Sequence, residues 1–186
     1  MPTIFSHAVA GVALLGAFPE KTVPRRWAIV GAACSIVPDI DVAGFRFGIH
    51  YGDLLGHRGL SHSLIFAAGL ALVATLLFSR WTPGAHRGLV WLYLFVATVS
   101  HPLLDACTNG GLGVGFFSPF DTTRYFFSWT PIQVSPIGAR FFSERGVAVL
   151  TSELLWVWLP FLAFGLCSWI ARRFLSRGNR SASAAG

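Results

Sequence analysis

Charge is scarce in this sequence: Asp, Glu, Lys and Arg make up 12% of its 186 residues, about half the share of a soluble domain. A chain so poor in charge, 54% hydrophobic and with a mean hydropathy of +0.61, does not clothe a water-facing surface, which excludes an ordinary soluble globular domain. Cysteine is equally sparse. Cys34, Cys107 and Cys167 are odd in number and form no CxxC, so a disulfide framework and a thiolate zinc site are both excluded, and the three read as small apolar packing residues. The net charge of +6 does not signal nucleic acid, because the basic residues are not interleaved with aromatics on one soluble face. Neither HExxH nor GxSxG occurs; Ser61 and Ser63 adjoin His62, but adjacency in sequence does not make a triad. No Lys or Arg precedes the first apolar run and no small-residue cleavage site follows it before Lys21, so that run is expected to stay as a helix rather than be removed as a signal peptide.

What the sequence has in abundance is apolar runs: Ile4 to Phe18, Trp27 to Val37, Leu64 to Phe78, Leu89 to Ser100 and Val147 to Ile170, separated by Gly, Pro and charge. They predict an all-α, polytopic membrane domain of about five helices over residues 1–175, followed by a disordered tail over 176–186, "SRGNRSASAAG". Only the last run has the roughly 20 residues that a bilayer requires. The others reach that length if Ser6, His7, Asp39, His62, His101 and Asp105 at their ends count as helix. Such residues are tolerated at membrane depth when they face a protein interior or a wet cavity, so short apolar runs already point to a polar pocket.

The basic residues set an orientation. Lys21, Arg25, Arg26, Arg80, Arg87, Arg172, Arg173, Arg177 and Arg180 fall on one side of a five-span chain, against Arg46, Arg58, Arg124, Arg140 and Arg145 on the other, a 9 to 5 split of the 14 basic residues. The positive-inside rule then makes the carboxyl terminus cytoplasmic and turns the amino terminus, the second loop and the 109–145 segment outward. That segment, "FFSPFDTTRYFFSWTPIQVSPIGARFF" at its heart, is too interrupted to span and rich in rings that favour the headgroup zone, so it reads as an interfacial loop or lid, or as an ordered loop packed on the helices.

With that topology the chemically capable side chains converge on the outward helix ends. His7 lies near the outer end of the first helix, Asp39 and Asp41 close the second, His57, Arg58 and His62 open the third, His101 and Asp105 close the fourth, and Glu153 lies in the outer half of the fifth. Singly each has an ordinary explanation: a histidine as a helix cap, Asp39 in a Pro-Asp turn, Arg58 on a lipid headgroup. Collectively, four of six histidines and three of eight acids at the ends of four helices fit a metal site better. His101 and Asp105, spaced i, i+4, share one helix face and can chelate one ion, and a mixed His and carboxylate set suits zinc or a similar divalent ion. The set is large enough for one or two ions. Glu153 stands as ligand, base or neutral buried carboxyl, whereas His50 and His86 are expected to be solvated.

"SHAVAG", "PDID", "HRGLSHS" and "HPLLDACTNGG" together resemble the YdjM-like family of LexA-regulated, membrane-bound, metal-dependent hydrolases, over roughly Thr3 to Gly111. The order His7, Asp39 or Asp41, His57 or His62, then His101 and Asp105 is also similar to the zinc-dependent phospholipase C and P1 nuclease pattern; after Asp105 only Glu153 is left to complete a third zinc site. The resemblance implies an inner-membrane, metal-dependent hydrolase; together with the placement of the polar residues, the leading expectation is that it cleaves a phosphoester of a lipid or lipid-linked substrate at the outer face of the membrane, with Arg58 holding a phosphate oxygen and Asn109 or the "TNGG" amides assisting. The rival expectations are a metal-ion transporter, which calls for a site near the bilayer midplane, and an assembly factor whose closed metal site ties helices together.

Overall fold

The computed structural model describes residues 1–136 and 141–183; Arg140, one of the five outward cations, lies outside the described residues. Helix is the only regular structure among the described residues, which hold no strand and only two isolated bridges, Thr108 with Ile132 and Val114 with Tyr125. The helices are α1 (Ile4–Leu14), α2 (Trp27–Ile36), α3 (Leu64–Leu77), α4 (Arg87–Ala106), α5 (Glu144–Glu153) and α6 (Leu159–Ser183). α5 runs into α6 through a π-helical stretch, Leu154–Trp158, so the two form one long apolar rod. Three segments are long and apolar enough to cross a membrane, Trp27–Phe47, Arg87–Ala106 and Glu144–Leu175, while Ile4–Ala17 and Leu64–Leu77 are shorter apolar helices. The five apolar runs thus correspond to five helical segments.

Two boundaries differ from the sequence expectation. The second helix does not stop at Val37 but continues as 3-10 helix over Val37–Phe47. Pro38 sits at its first turn, where a missing N–H costs nothing, and Gly48 at φ 78° ends it in the left-handed region. Asp39 and Asp41 therefore ride on a helix rather than in a Pro-Asp turn. At the other end, α6 extends to Ser183, so the segment expected to be disordered from Ser176 begins as helix: residues added to an established helix each gain a hydrogen bond without repeating the cost of nucleation. Residues 184–186 of that tail lie outside the described residues.

α4 is the hub. It packs on α1, α2 and α3, and Tyr93, Leu94 and Ala97 on its faces have no exposed surface. α1 and α2 meet through small residues: a side chain on Gly11 would strike Ser35 and the Gly31 carbonyl, and one on Gly31 would strike the Tyr93 ring. Between membrane helices such close backbone approach supplies the packing that the hydrophobic effect does not. Tyr93 threads this gap and donates its hydroxyl to the Gly11 carbonyl at 3.0 Å. Cys34 packs in the same cluster, whereas Cys167 is exposed on α6 and is not a core residue.

Gly31→Val should therefore push Tyr93 out of register and cost about 2 kcal/mol, as overpacking does. Tyr93→Phe should cost only about 1 kcal/mol, the worth of its hydrogen bond. Thermal unfolding in detergent compares the two, and equal losses would show that Gly31 is not the tighter constraint.

Candidate metal centre

Four side chains from three elements point their donor atoms into one volume. His101 and Asp105 lie a turn apart on α4, Asp39 comes from the 3-10 end of α2, and His62 closes the short turn Leu60–His62 ahead of α3. One ligand atom from each falls within 4.8 Å of all the others. His101 Nε2 is 3.0 Å from His62 Nε2 and 3.4 Å from Asp39 Oδ1, while His62 Nε2 is 3.2 Å from Asp105 Oδ2. The i, i+4 pair on α4 thus meets its partners as the spacing predicts.

The ring tautomers follow from the outer contacts. His101 Nδ1 lies 2.7 Å from the Ser35 carbonyl, which can only accept, so Nδ1 carries the proton and Nε2 turns a lone pair inward. His62 Nδ1 faces Asp41 Oδ2 at 3.2 Å and Ser61 Oγ at 3.0 Å, which suits the same tautomer when Nε2 serves as a ligand. A carboxylate behind a histidine is the usual way a metal-bound imidazole is oriented and made more basic.

The inner atoms fit a cation and little else. Both oxygens of Asp39, both of Asp105 and both ring nitrogens of His7 are buried without any hydrogen-bond partner. Leaving a buried polar atom unpaired costs about 1–3 kcal/mol, more when it is charged. With neutral imidazoles, Asp39, Asp41 and Asp105 contribute three negative charges and Arg58 one positive, so these side chains carry a net charge of −2 that a single divalent ion balances. The residues present fit such a group.

The seven ligand candidates separate by this test. His57 and Asp41 join His62 in a second cluster within 4.8 Å, but Asp41 is already engaged. Its oxygens face His57 Nδ1 at 2.7 Å and accept from Ser61 Oγ at 2.5 Å and the Arg58 N–H at 3.2 Å. Asp41 and His57 therefore brace His62 one step removed from the inner cluster. A neutral imidazole has one lone pair, and His62 directs it to the first cluster. His7 stands beside that cluster: its ring stacks on His101 at 3.6 Å, and its Nε2 lies 3.8 Å from Asp105 Oδ1.

The three residues expected to touch substrate are placed otherwise. Arg58 has no exposed surface; its Nε sits 3.1 Å from Asp105 Oδ2, while Nη1 donates to the Gly110 carbonyl and Nη2 to Thr108 Oγ1. The fork is spent inside the protein, so it braces Asp105 instead of holding a phosphate. Its backbone takes φ 65°, strain that a non-glycine residue keeps only where surrounding bonds enforce it. Asn109 accepts the Val134 N–H with Oδ1 at 2.9 Å and so fastens the 109–145 segment. Glu153 is fully buried, but beside α1 rather than among the donors: it accepts from the Thr3 N–H, Thr3 Oγ1 and Ser6 Oγ at 2.5–2.6 Å. It fixes the turn that carries His7.

Sequence reasoning missed the supports. Ser61 was visible in "HRGLSHS", but the Ser35 carbonyl is a backbone group with no residue signature, and Thr108 was hidden in "ACTNGG". The aromatic segment is a tied cover: Gly115 donates to the Arg58 carbonyl, Leu64 to that of Phe116 and Phe127 to that of Ala106. Arg124 clasps the carbonyls of His57, Tyr51 and Asp53. Burial beneath this cover pushes the Tyr51 phenol above its ordinary value.

Comparison with known proteins agrees with this architecture. The model of the YdjM inner membrane protein family matches residues 1–175. This chain belongs to that family. It is 39% identical over 176 residues to inner membrane protein YbcI of Escherichia coli (strain K12), covering 92% of this chain and 100% of the relative. No solved structure matches. Membership places the chain in the inner membrane, and the match to residue 175 takes in α5 and most of α6, well beyond the four motifs.

Asp41→Asn should lower metal affinity about 10- to 100-fold while stoichiometry at saturation stays at one ion per chain, as titration with elemental analysis will show; two ions would assign the second cluster its own. Arg58→Ala removes one partner of a buried pair, a loss of about 3–5 kcal/mol, and a bound divalent ion offsets part of it. Thermal unfolding should therefore show a larger drop in chelator than in saturating zinc.

Proposed function

We propose that this chain is a membrane-bound hydrolase in which a divalent ion, zinc by the chemistry of the donors, is held by Asp39, His62, His101 and Asp105, and that its substrate is a phosphoester of a lipid or lipid-linked molecule. The observation that carries this reading is His7. Four residues hold an ion that must expand to five-coordinate to admit a water, and a purely structural ion gives no use for a further, buried imidazole beside it with neither nitrogen engaged. An unpartnered Nε2 next to the donor cluster is what a general base requires.

A bound divalent ion supplies Lewis acidity, lowering the pKa of water and polarising a phosphoryl oxygen. His7 takes the proton from the attacking water at Nε2 and returns it to the leaving oxygen. Glu153, through Ser6, holds His7 in place, and Arg58 keeps Asp105 ionised and aimed. The enclosure of His62, His101 and Asp105 excludes bulk water. All four donors are buried, Asp39 least so at 8%, and its neighbours Ile40 and Phe47 are exposed at 66% and 83%, so substrate would approach on the side of the 3-10 helix. Apolar residues at that mouth suit an approach from within the bilayer, which is why the substrate is assigned to the lipids. The donors gather at helix ends instead of the bilayer midplane, which disfavours a transport path.

The same enclosure favours a second reading, an ion that only ties helix ends together, and one experiment divides them. His7→Ala should keep its metal and lose at least about 100-fold in turnover of a phospholipid or polyprenyl phosphate substrate, within the range for a general base, whereas His101→Ala should lose the ion itself. Metal-loaded wild-type protein that hydrolyses none of these substrates would leave the structural reading.

We place the metal end on the outer face. Of the outward cations, Arg58 and Arg124 are consumed by internal partners, which sharpens the bias toward the end bearing Lys21, Arg25 and Arg26. A carboxyl-terminal reporter fusion should be active in the cytoplasm; periplasmic activity would invert the site.

A further inference from the structure

At the end of the bundle away from the metal donors, the 3-10 turn Leu15–Ala17 that extends α1 meets α6 at Gly16 and Gly165. A side chain on Gly16 would lie 2.7 Å from the Gly165 carbonyl oxygen, and one on Gly165 would lie 3.0 Å from that of Ala13, so the helices touch backbone to backbone and no side chain fills the angle between them. The result is a groove of about 330 Å³, walled by Val12, Leu15, Leu162, Leu166 and Trp169, with Glu20, Arg25 and Arg172 also lining it. Two of those charges answer each other: Arg25 Nε lies 3.1 Å from Glu20 Oε2. Glu20 also acts on Arg172 through its charge, which leaves the three side chains one positive charge in excess, on Arg172. Its Nη1 is buried and has no hydrogen-bond partner, an expensive state for a guanidinium donor.

We propose that this groove is a binding site for one anionic phospholipid, with an acyl chain along the α1–α6 wall and a phosphate oxygen accepting from Arg172 Nη1. An aqueous anion would have no use for the apolar wall, and a neutral lipid would leave the guanidinium unanswered, whereas a phosphate on a fatty stem satisfies both. Trp169 among the lining residues is the residue type expected at headgroup depth, and basic pockets between membrane helices select anionic headgroups. The site is distinct from the metal centre and independent of its chemistry.

Native mass spectrometry of the full chain in detergent, offered phosphatidylglycerol or phosphatidylcholine, tests the proposal. Wild type should retain one phosphatidylglycerol in preference to phosphatidylcholine. Arg172→Gln should lose about tenfold in phosphatidylglycerol affinity, equivalent to about 1.4 kcal/mol, and Arg172→Lys should recover part of it, because charge returns without the fork. Arg80→Gln, which removes an exposed cation outside the groove, should change nothing, and an unaltered circular dichroism melt confirms that the variants remain folded. Equal retention of both lipids by wild type, or equal losses in Arg172→Gln and Arg80→Gln, would overturn the site.

Discussion

The fold is organised around a charge imbalance that it does not resolve by itself. Asp39, Asp41 and Asp105 converge at the helix ends, answered by Arg58 and more weakly by the buried N-terminal amine. Bringing carboxylates into such a place costs several kcal/mol each unless they are paired, and the structure pairs Asp41 with four neighbours while leaving all four oxygens of Asp39 and Asp105 without a hydrogen bond. Arg58 touches Asp105 from one side only. The remaining inward side carries the lone pairs of His62 and His101, so the vacancy in the electrostatics and the geometry of the donors coincide.

Much of the surrounding architecture then reads as support for that cluster. His62 and His101 each have an acceptor behind the outer nitrogen, Asp41 in one case and the Ser35 carbonyl in the other. Tyr93 and the Gly11–Gly31 crossing hold α1, α2 and α4 at a separation small enough for Ser35 to reach His101 and to donate its hydroxyl to the His7 carbonyl at 2.8 Å. A wider crossing would detach both histidines from their brace. The packing of the apolar half of the bundle and the chemistry of its polar end are thus linked through α2.

The helical class, the number of apolar segments and the gathering of His7, Asp39, His62, His101 and Asp105 were legible because they depend on composition and periodicity: polar residues capping short apolar runs, and an i, i+4 pair on a helix. The division of labour was not. Asp39 and Asp41 are two residues apart in "PDID", and which of them faces the inner cluster depends on the rotation of a 3-10 helix that the sequence does not distinguish from the end of an α-helix. Arg58 looked like a free phosphate clamp because its loop gives no hint of the left-handed backbone that drives the guanidinium inward. Glu153 reached the right end of the bundle, but its neighbours, Thr3 and Ser6, lie some 150 residues away in sequence and no local pattern announces them.

The role of Arg58 changes what the site demands of a substrate. A free arginine would recognise a phosphate through its own fork, and selectivity would then rest on that contact. With the fork committed to Asp105, Thr108 and Gly110, Arg58 has no free face for an anionic ligand, and in the proposed reading recognition passes to the ion and to the exposed apolar residues beside Asp39. In the proposed hydrolase such a site discriminates by the attached chain more than by the headgroup charge. On that reading specificity falls to Ile40, Phe47 and the aromatic cover, and the chemistry to His7 and the four donors beneath it.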